Sequence, residues 1–244
     1  MNDVAASNKW IGQRTIRPDG TDKVTGSAHY GADFNMTGMI WGKVLRSPHA
    51  HAKIKSIDTS AAEALDGVYA IASHADLPAV ADVVIEAGEG SATLVDLARN
   101  ILAKDKVLYH GHAILGVSAR TEAIAEQAID LIKVEYELMP PVMDVRDAIA
   151  DNAPLLHDNM FTEGLADKPE KPSNVATRHE FKLGDVEAGF AEADVIVERE
   201  FYTPTVHQGY IDPHACLGNY EEHGQSMLFT CTQGHFDVRA STAA

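Results

Sequence analysis

Between Ala113 and Leu138 the hydrophobic pattern changes period twice, and few folds accept that change in so short a stretch. AILGVSA (residues 113–119) is an apolar run of strand length. From Thr121 onward Ile124, Ala128, Leu131 and Ile132 recur at i, i+4, i+7 and i+8, which marks one apolar face of a helix. VEYEL (residues 134–138) then alternates as a strand does, and Pro140-Pro141 stops it, because proline cannot donate to a central ladder. Upstream, strands are predicted over residues 38–47, 53–58, 68–72 and 106–109. Asp58-Thr59-Ser60 offers N-cap choices, and Ser60-x-x-Glu63 fits a capping box for a short helix through Leu65, stopped by Gly67. Residues 75–103 are uneven and hold Gly88-Glu89-Gly90-Ser91, so a loop excursion is expected there. A doubly wound parallel sheet needs a helix in each crossover. With two helices among all these strands, the fold class is α+β.

The rest of the chain reads as a lead-in, a connection and a second unit. Residues 9–37 are rich in Gly, Asp, Thr and Lys with turn pairs at Asp19-Gly20 and Thr25-Gly26, and read as an irregular arm. Residues 151–173, with Pro154, Pro169, Pro172 and a charged run, read as a linker. Beyond it come a short helix over 185–193, an alternating strand DVIVEREFYT over 194–203, and a hairpin of 215–221 with 226–232 about Glu222-His223-Gly224. Residues 237–244 suit a helix. The 244 residues thus divide into an arm (1–20), a first domain (21–150), a linker (151–180) and an incomplete second domain (181–244).

Charge and cysteine content exclude whole classes of function. Twenty Lys and Arg against 36 Asp and Glu give a formal charge of −16, with no basic run, so neither nucleic acid nor an anionic membrane surface is an expected partner. No stretch approaches a membrane span, and no secretory leader is visible before Arg14. Two cysteines, Cys216 and Cys231, are too few for a disulfide scaffold, which suits a reducing, cytoplasmic setting.

Candidate chemistry is scattered. His49-x-His51 and His110-x-His112 each place two imidazoles on one side of an extended chain, as a metal pair requires, and His214 and Cys216 repeat the spacing. The commoner fate of such residues is ordinary hydrogen bonding in loops. Glu135 and Glu137 share one strand face and could imitate an acid/base pair, but an outward polar face explains them as well. Gly88-x-Gly90 lacks the third glycine of a dinucleotide fingerprint. Cys231-Thr232-Gln233-Gly234 follows the last strand and precedes a helix. A glycine there allows close backbone approach, and Gln233 offers a neutral amide that can donate without carrying charge.

Taken together, these segments resemble the molybdopterin-binding large subunit of the xanthine dehydrogenase / aldehyde oxidase family. RPDGTDKVTGSAHYGADF (residues 17–34) is similar to the arm before that family's first domain. VLRSPHAHAKIKSIDTSAAEALDGV (44–68) and HAILGVSARTEAIAEQAIDLIKVEYELMPPVMD (112–144) resemble its a/b hammerhead domain. GDVEAGFAEADVIVEREF (184–201), VHQGYIDPHACLGNY (206–220) and TQGHF (232–236) resemble the opening of its molybdenum-cofactor domain.

The resemblance implies a hydroxylase that adds water-derived oxygen to an electron-poor carbon, such as an aldehyde or N-heterocycle, and sends two electrons out through iron–sulfur clusters and flavin. It implies a molybdenum-molybdopterin cofactor in the cytosine dinucleotide form, with Fe–S and FAD on partner domains or subunits. By the same matching Gln233 lies beside the molybdenum, within hydrogen-bonding reach of an oxo ligand, and Gly234 and Phe236 line the pterin side. The segment Asp212-Pro213-His214 departs from the family's usual glutamate, and no role carries over to it. A glycine-rich GGGFG-type turn and a late catalytic glutamate expected of the family have no counterpart here, so the catalytic base is expected outside this chain. Two rival readings stand beside this one: a non-catalytic scaffold or subunit-interface module of the same lineage, and a His-rich metal-binding protein.

Overall fold

A computed structural model describes residues 9–79, 81, 83–87, 90–211 and 213–243. Its elements, in chain order, begin with α1 (Gly20–Thr25), β1 (Trp41–Arg46), β2 (Ala52–Asp58), α2 (Ser60–Glu63), β3 (Val68–Ser73), β4 (Val84–Ala87) and β5 (Gly90–Thr93). There follow α3 (Leu94–Ile101), β6 (Lys106–Val107), β7 (Ala113–Ala119), α4 (Glu122–Leu131), β8 (Lys133–Leu138) and α5 (Val145–Ala148). The last are α6 (Val186–Glu192), β9 (Cys216–Asn219), β10 (Met227–Thr230) and α7 (His235–Ala243). The mixture of helices with antiparallel strands is α+β, as expected.

Among the described residues, those within Met1–Gly38 and Val206–Val238 form one compact unit, and those within Met39–Thr205 and Arg239–Ala244 form another. The larger unit holds two three-stranded sheets, in the orders β1-β7-β3 and β6-β2-β8. β7 runs down the middle of the first sheet and pairs antiparallel with both neighbours. Its side chains are buried on both faces, with Ile114 at 0% and Leu115 at 1% exposure, which is why the sequence reads there as an unbroken apolar run. α4 packs across β1, β3 and β7. The Thr121 hydroxyl caps it by accepting from the Ile124 N–H (3.3 Å), and Ala125 and Ala128, both fully buried, let the helix approach the sheet closely. Ala52, Ala62, Val107 and Ile132 complete the same core.

Four local expectations needed correction. The expected loop over 75–103 contains the β4/β5 hairpin and the eight-residue helix α3, whose ends are secured by burial of Leu94 and of Leu102 and Ala103 just beyond. The arm is not wholly irregular, because α1 forms a short helix ended by Gly26 in the left-handed region at φ 76°. Of the three N-cap choices for α2 the chain uses Thr59, so the Ser60 capping box does not form: the Thr59 hydroxyl meets Glu63 at 2.6 Å, while Ser60 donates to the Asp58 carboxylate at 2.6 Å. Residues 194–203 form no strand. Alternation makes that segment amphipathic, but a strand also requires a ladder partner, and none of the described residues supplies one. Val195, Val197 and Phe201 consequently remain more than two-thirds exposed, and with α6 the two valines edge an open apolar depression of about 270 Å³.

The proline-rich stretch after α5 has fixed local contacts although it carries neither helix nor sheet. The Asn174 side chain donates to the carbonyls of Ala148 (3.2 Å) and Pro154 (3.0 Å) and accepts from the Leu156 N–H (3.0 Å). In the smaller unit β9 and β10 form the predicted hairpin, Cys216 facing Thr230 and Asn219 facing Met227. The arm packs on this hairpin. Phe34 stacks on Phe229 with ring centres 4.8 Å apart. Gly31 lies so close to β9 that an added Cβ would sit 3.2 Å from the Ala215 carbonyl oxygen.

Candidate functional site

The junction between β10 and α7 is a strand, a four-residue turn and a helix, as the sequence predicts, although the helix begins two residues earlier than expected. Thr232 fixes the turn: its hydroxyl accepts from the Gly234 N–H at 3.0 Å. Gly234 in turn opens the helix, its carbonyl accepting from the Val238 N–H at 3.0 Å. A Cβ on Gly234 would fall 2.9 Å from the Asp237 carboxylate, an exposed side-chain end that can swing aside. Thr232 is a contributor that sequence reasoning did not single out; its signal was a hydroxyl residue two positions before a helix-opening glycine.

Gln233 sits at the crest of this turn. Its side chain is exposed and makes no hydrogen bond to another described residue. Phe236 is 65% exposed on the first turn of α7, with the His235 ring 4.3 Å from it. Gln233, Gly234 and Phe236 are therefore brought together on one turn, and they present a free neutral amide beside bare backbone and an aromatic face. Such a set suits the rim of a pocket for a large polar ring system: the amide can donate to an oxygen without adding charge. Neither described cleft includes Gln233.

Three of the four histidines in the two H-x-H pairs have other partners. His51 is 2% exposed and its Nδ1 lies 2.9 Å from the Pro140 carbonyl. His112 is fully buried, its Nδ1 accepting from the Leu108 N–H (3.2 Å) and its Nε2 3.1 Å from the Arg99 carbonyl, which suits a neutral ring with the proton on Nε2. His49 packs edge-on to Tyr136, with ring centres 4.8 Å apart. Among the described residues no three His, Cys, Asp or Glu side chains converge as a metal site would require. Ser47 ties the SPHAHA segment down: its N–H donates to the His112 carbonyl (2.9 Å) and its hydroxyl to the His49 carbonyl (3.0 Å). Glu135 and Glu137 face outward, Glu135 accepting from Ser56 (2.9 Å) and Glu137 paired with Lys55 (2.7 Å). The neighbouring ammonium, first by hydrogen bonding and then by charge, lowers the Glu137 pKa, so it is no poised acid.

Burial pushes the His112 pKa below the ordinary imidazole value, outweighing the opposite effect of its bond to the Arg99 carbonyl. A depressed folded-state pKa means that the unfolded chain binds the proton more readily. The stabilising contribution is therefore full above an ordinary imidazole pKa of about 6.5 and is lost as pH falls below it. Denaturant titrations of the chain and of His112→Gln between about pH 7.5 and 5.5 are expected to show a steeper loss of stability in the unsubstituted protein; parallel slopes would refute this.

Comparison with known proteins gives this geometry a lineage. Residues 25–140 match the family model described as aldehyde oxidase and xanthine dehydrogenase, a/b hammerhead domain, and residues 167–244 match the molybdopterin cofactor-binding domain. A probable xanthine dehydrogenase subunit of Bacillus subtilis (strain 168) is 34% identical over 228 residues, covering 93% of this chain and 28% of that protein. The nicotinate dehydrogenase large molybdopterin subunit of Eubacterium barkeri is 28% identical over 228 residues, covering 93% of this chain and 48% of that one. The crystal structure of a Cu,Mo-CO dehydrogenase in its carbon monoxide reduced state superposes with a TM-score of 0.73 at 29% identity, over 95% of this chain and 29% of that chain. The chain thus spans between about a quarter and a half of the length of these relatives. No helix among the described residues is long and apolar enough to cross a membrane. With both domains of one lineage matched in tandem, the chain belongs to the xanthine dehydrogenase / aldehyde oxidase family of molybdopterin-binding large subunits, of which it carries the hammerhead domain and a stretch of the cofactor-binding domain.

Proposed function

We propose that this chain forms part of a cytoplasmic molybdenum hydroxylase, which oxidises an electron-poor carbon of a small aldehyde, N-heterocycle or related substrate with water as the oxygen source. The observation that carries the reading is the hammerhead match followed in the same chain by the cofactor-domain match. Residues 21–150 serve as the hammerhead and 181–244 as the beginning of the cofactor domain, with 1–20 as an arm and 151–180 as the connection. A molybdenum-molybdopterin group, in its cytosine dinucleotide form, would supply the oxygen-transfer and two-electron chemistry, with Fe–S and FAD on partner domains or subunits taking the electrons onward.

This chain's own contribution is to bind and orient. The Gln233 amide would donate a hydrogen bond to an oxygen of a bound metal centre without altering the local charge. Gly234 admits the pterin side close to backbone, and Phe236 covers that side against water. None of the 244 residues takes the part of general base in this reading; that carboxylate and the rest of the cofactor domain come from outside these residues. Purifying the native complex through a tag on this chain, then measuring molybdenum and released pterin, tests the assignment. Stoichiometric molybdenum and pterin are expected, and a folded complex lacking both would overturn it.

A further inference from the structure

One cleft in the larger unit has a charge opposite to that of the chain. It encloses about 500 Å³ and is walled by Lys53, Arg99, Lys104 and Lys106 together with Asp105 and Asp158. Four cationic side chains and two carboxylates line it, in a protein of formal charge −16. Part of the crowding is built into the sheet. Lys53 on β2 and Lys106 on β6 are direct partners in the antiparallel register, so two ammonium groups share one sheet face, an arrangement that costs stability unless an anion intervenes.

The protein's own carboxylates offset this only in part. Asp158 clasps Lys106, both carboxylate oxygens lying 3.0 Å from its Nζ. Lys53 has only the fringe of Glu137, at 3.9 Å, while that carboxylate makes its close contact to Lys55 at 2.7 Å. Lys104 has no carboxylate partner among the described residues. Leu108 and Leu156 add apolar surface to the same cleft. Its volume lies in the range of small-molecule sites, about 300–1,000 Å³.

We propose that this cleft binds a phosphate group, free or carried on a small organic ester. A phosphate monoester bears a charge of about −1.5 to −2 near neutral pH, and lysines serve as point-charge ligands for it. Lys53 and Lys104 supply the uncompensated donors, and the two leucines receive the organic portion of an ester. Sequence reasoning passed over the site because Lys53 joins the Lys104/Lys106 pair only through the β2/β6 register, and Asp158 reaches it from a distant segment.

Titration of the full chain with inorganic phosphate and, separately, with phenyl phosphate, followed calorimetrically and by phosphorus NMR, tests this. Saturable, salt-sensitive binding is expected, with Lys104→Gln weakening it about tenfold and Lys53→Gln/Lys104→Gln weakening it further. Lys104 is exposed and without a carboxylate partner among the described residues, so that single replacement leaves folding intact, which the thermal midpoint checks. Tighter binding of phenyl phosphate identifies an ester as the ligand, and equal binding identifies the free ion. Absence of saturation by either probe, affinities unchanged in both variants, or stronger competition by a poly-glutamate peptide would overturn the proposal.

Discussion

Replacing Ile114 with alanine is expected to lower the stability of the larger unit by about 2–5 kcal/mol. Ile114 has no exposed surface, stands on the central strand of its sheet, and belongs to the same core as Ala52, Val107 and Ala128. Truncation removes apolar burial and leaves a void that flanking alanines are too small to fill. Since whole domains are stable by only about 5–15 kcal/mol, a loss of this size shifts the unfolding transition far enough to be unmistakable. Urea unfolding followed by circular dichroism measures it. A loss under about 1 kcal/mol would mean that β7 is not the centre of the core.

Gln233→Ala, made in the assembled enzyme, is expected to lower turnover about 10- to 100-fold, the range typical of groups that orient a metal's ligands. KM is expected to change little, because in the proposed role the amide acts on the metal centre rather than on substrate. Far-UV dichroism is expected to be unchanged, since the side chain is exposed and makes no hydrogen bond to another described residue. The electronic spectrum of the metal centre is expected to shift as well, which a purely structural role would not produce. Unaltered turnover and spectrum would remove Gln233 from the site.

The β7–α4–β8 run was legible because each part announces itself locally: a buried strand reads as continuous hydrophobicity, a capped amphipathic helix by its spacing, and a half-exposed strand by alternation. α3 was not, because eight residues give scarcely two turns of periodicity, and its anchoring leucines lie at its ends. The reading of 194–203 as a strand failed for a different reason. Alternation reports which side chains share a face and is silent on whether a neighbouring strand exists to receive the hydrogen bonds. The Gln233 turn could be located as a strand-to-helix junction, but the role of the amide came only through family resemblance, since an exposed glutamine leaves no packing signature. The lysine cleft was illegible altogether, because cross-strand register is a property of the fold.

The pairing of Phe34 with Phe229 sets an order on biosynthesis. Residues 39–205 can fold on contacts within themselves as they leave the ribosome, while the arm must wait for β9 and β10. At about 5–20 residues per second the wait is roughly 10–40 s. Closing so long a loop in an unstructured chain would cost about 5 kcal/mol of entropy, and prior folding of the intervening unit shortens the effective loop. The arm is thus made before its partner strands and docks after them, and in that interval its apolar side chains are open to whatever chaperone meets the nascent chain.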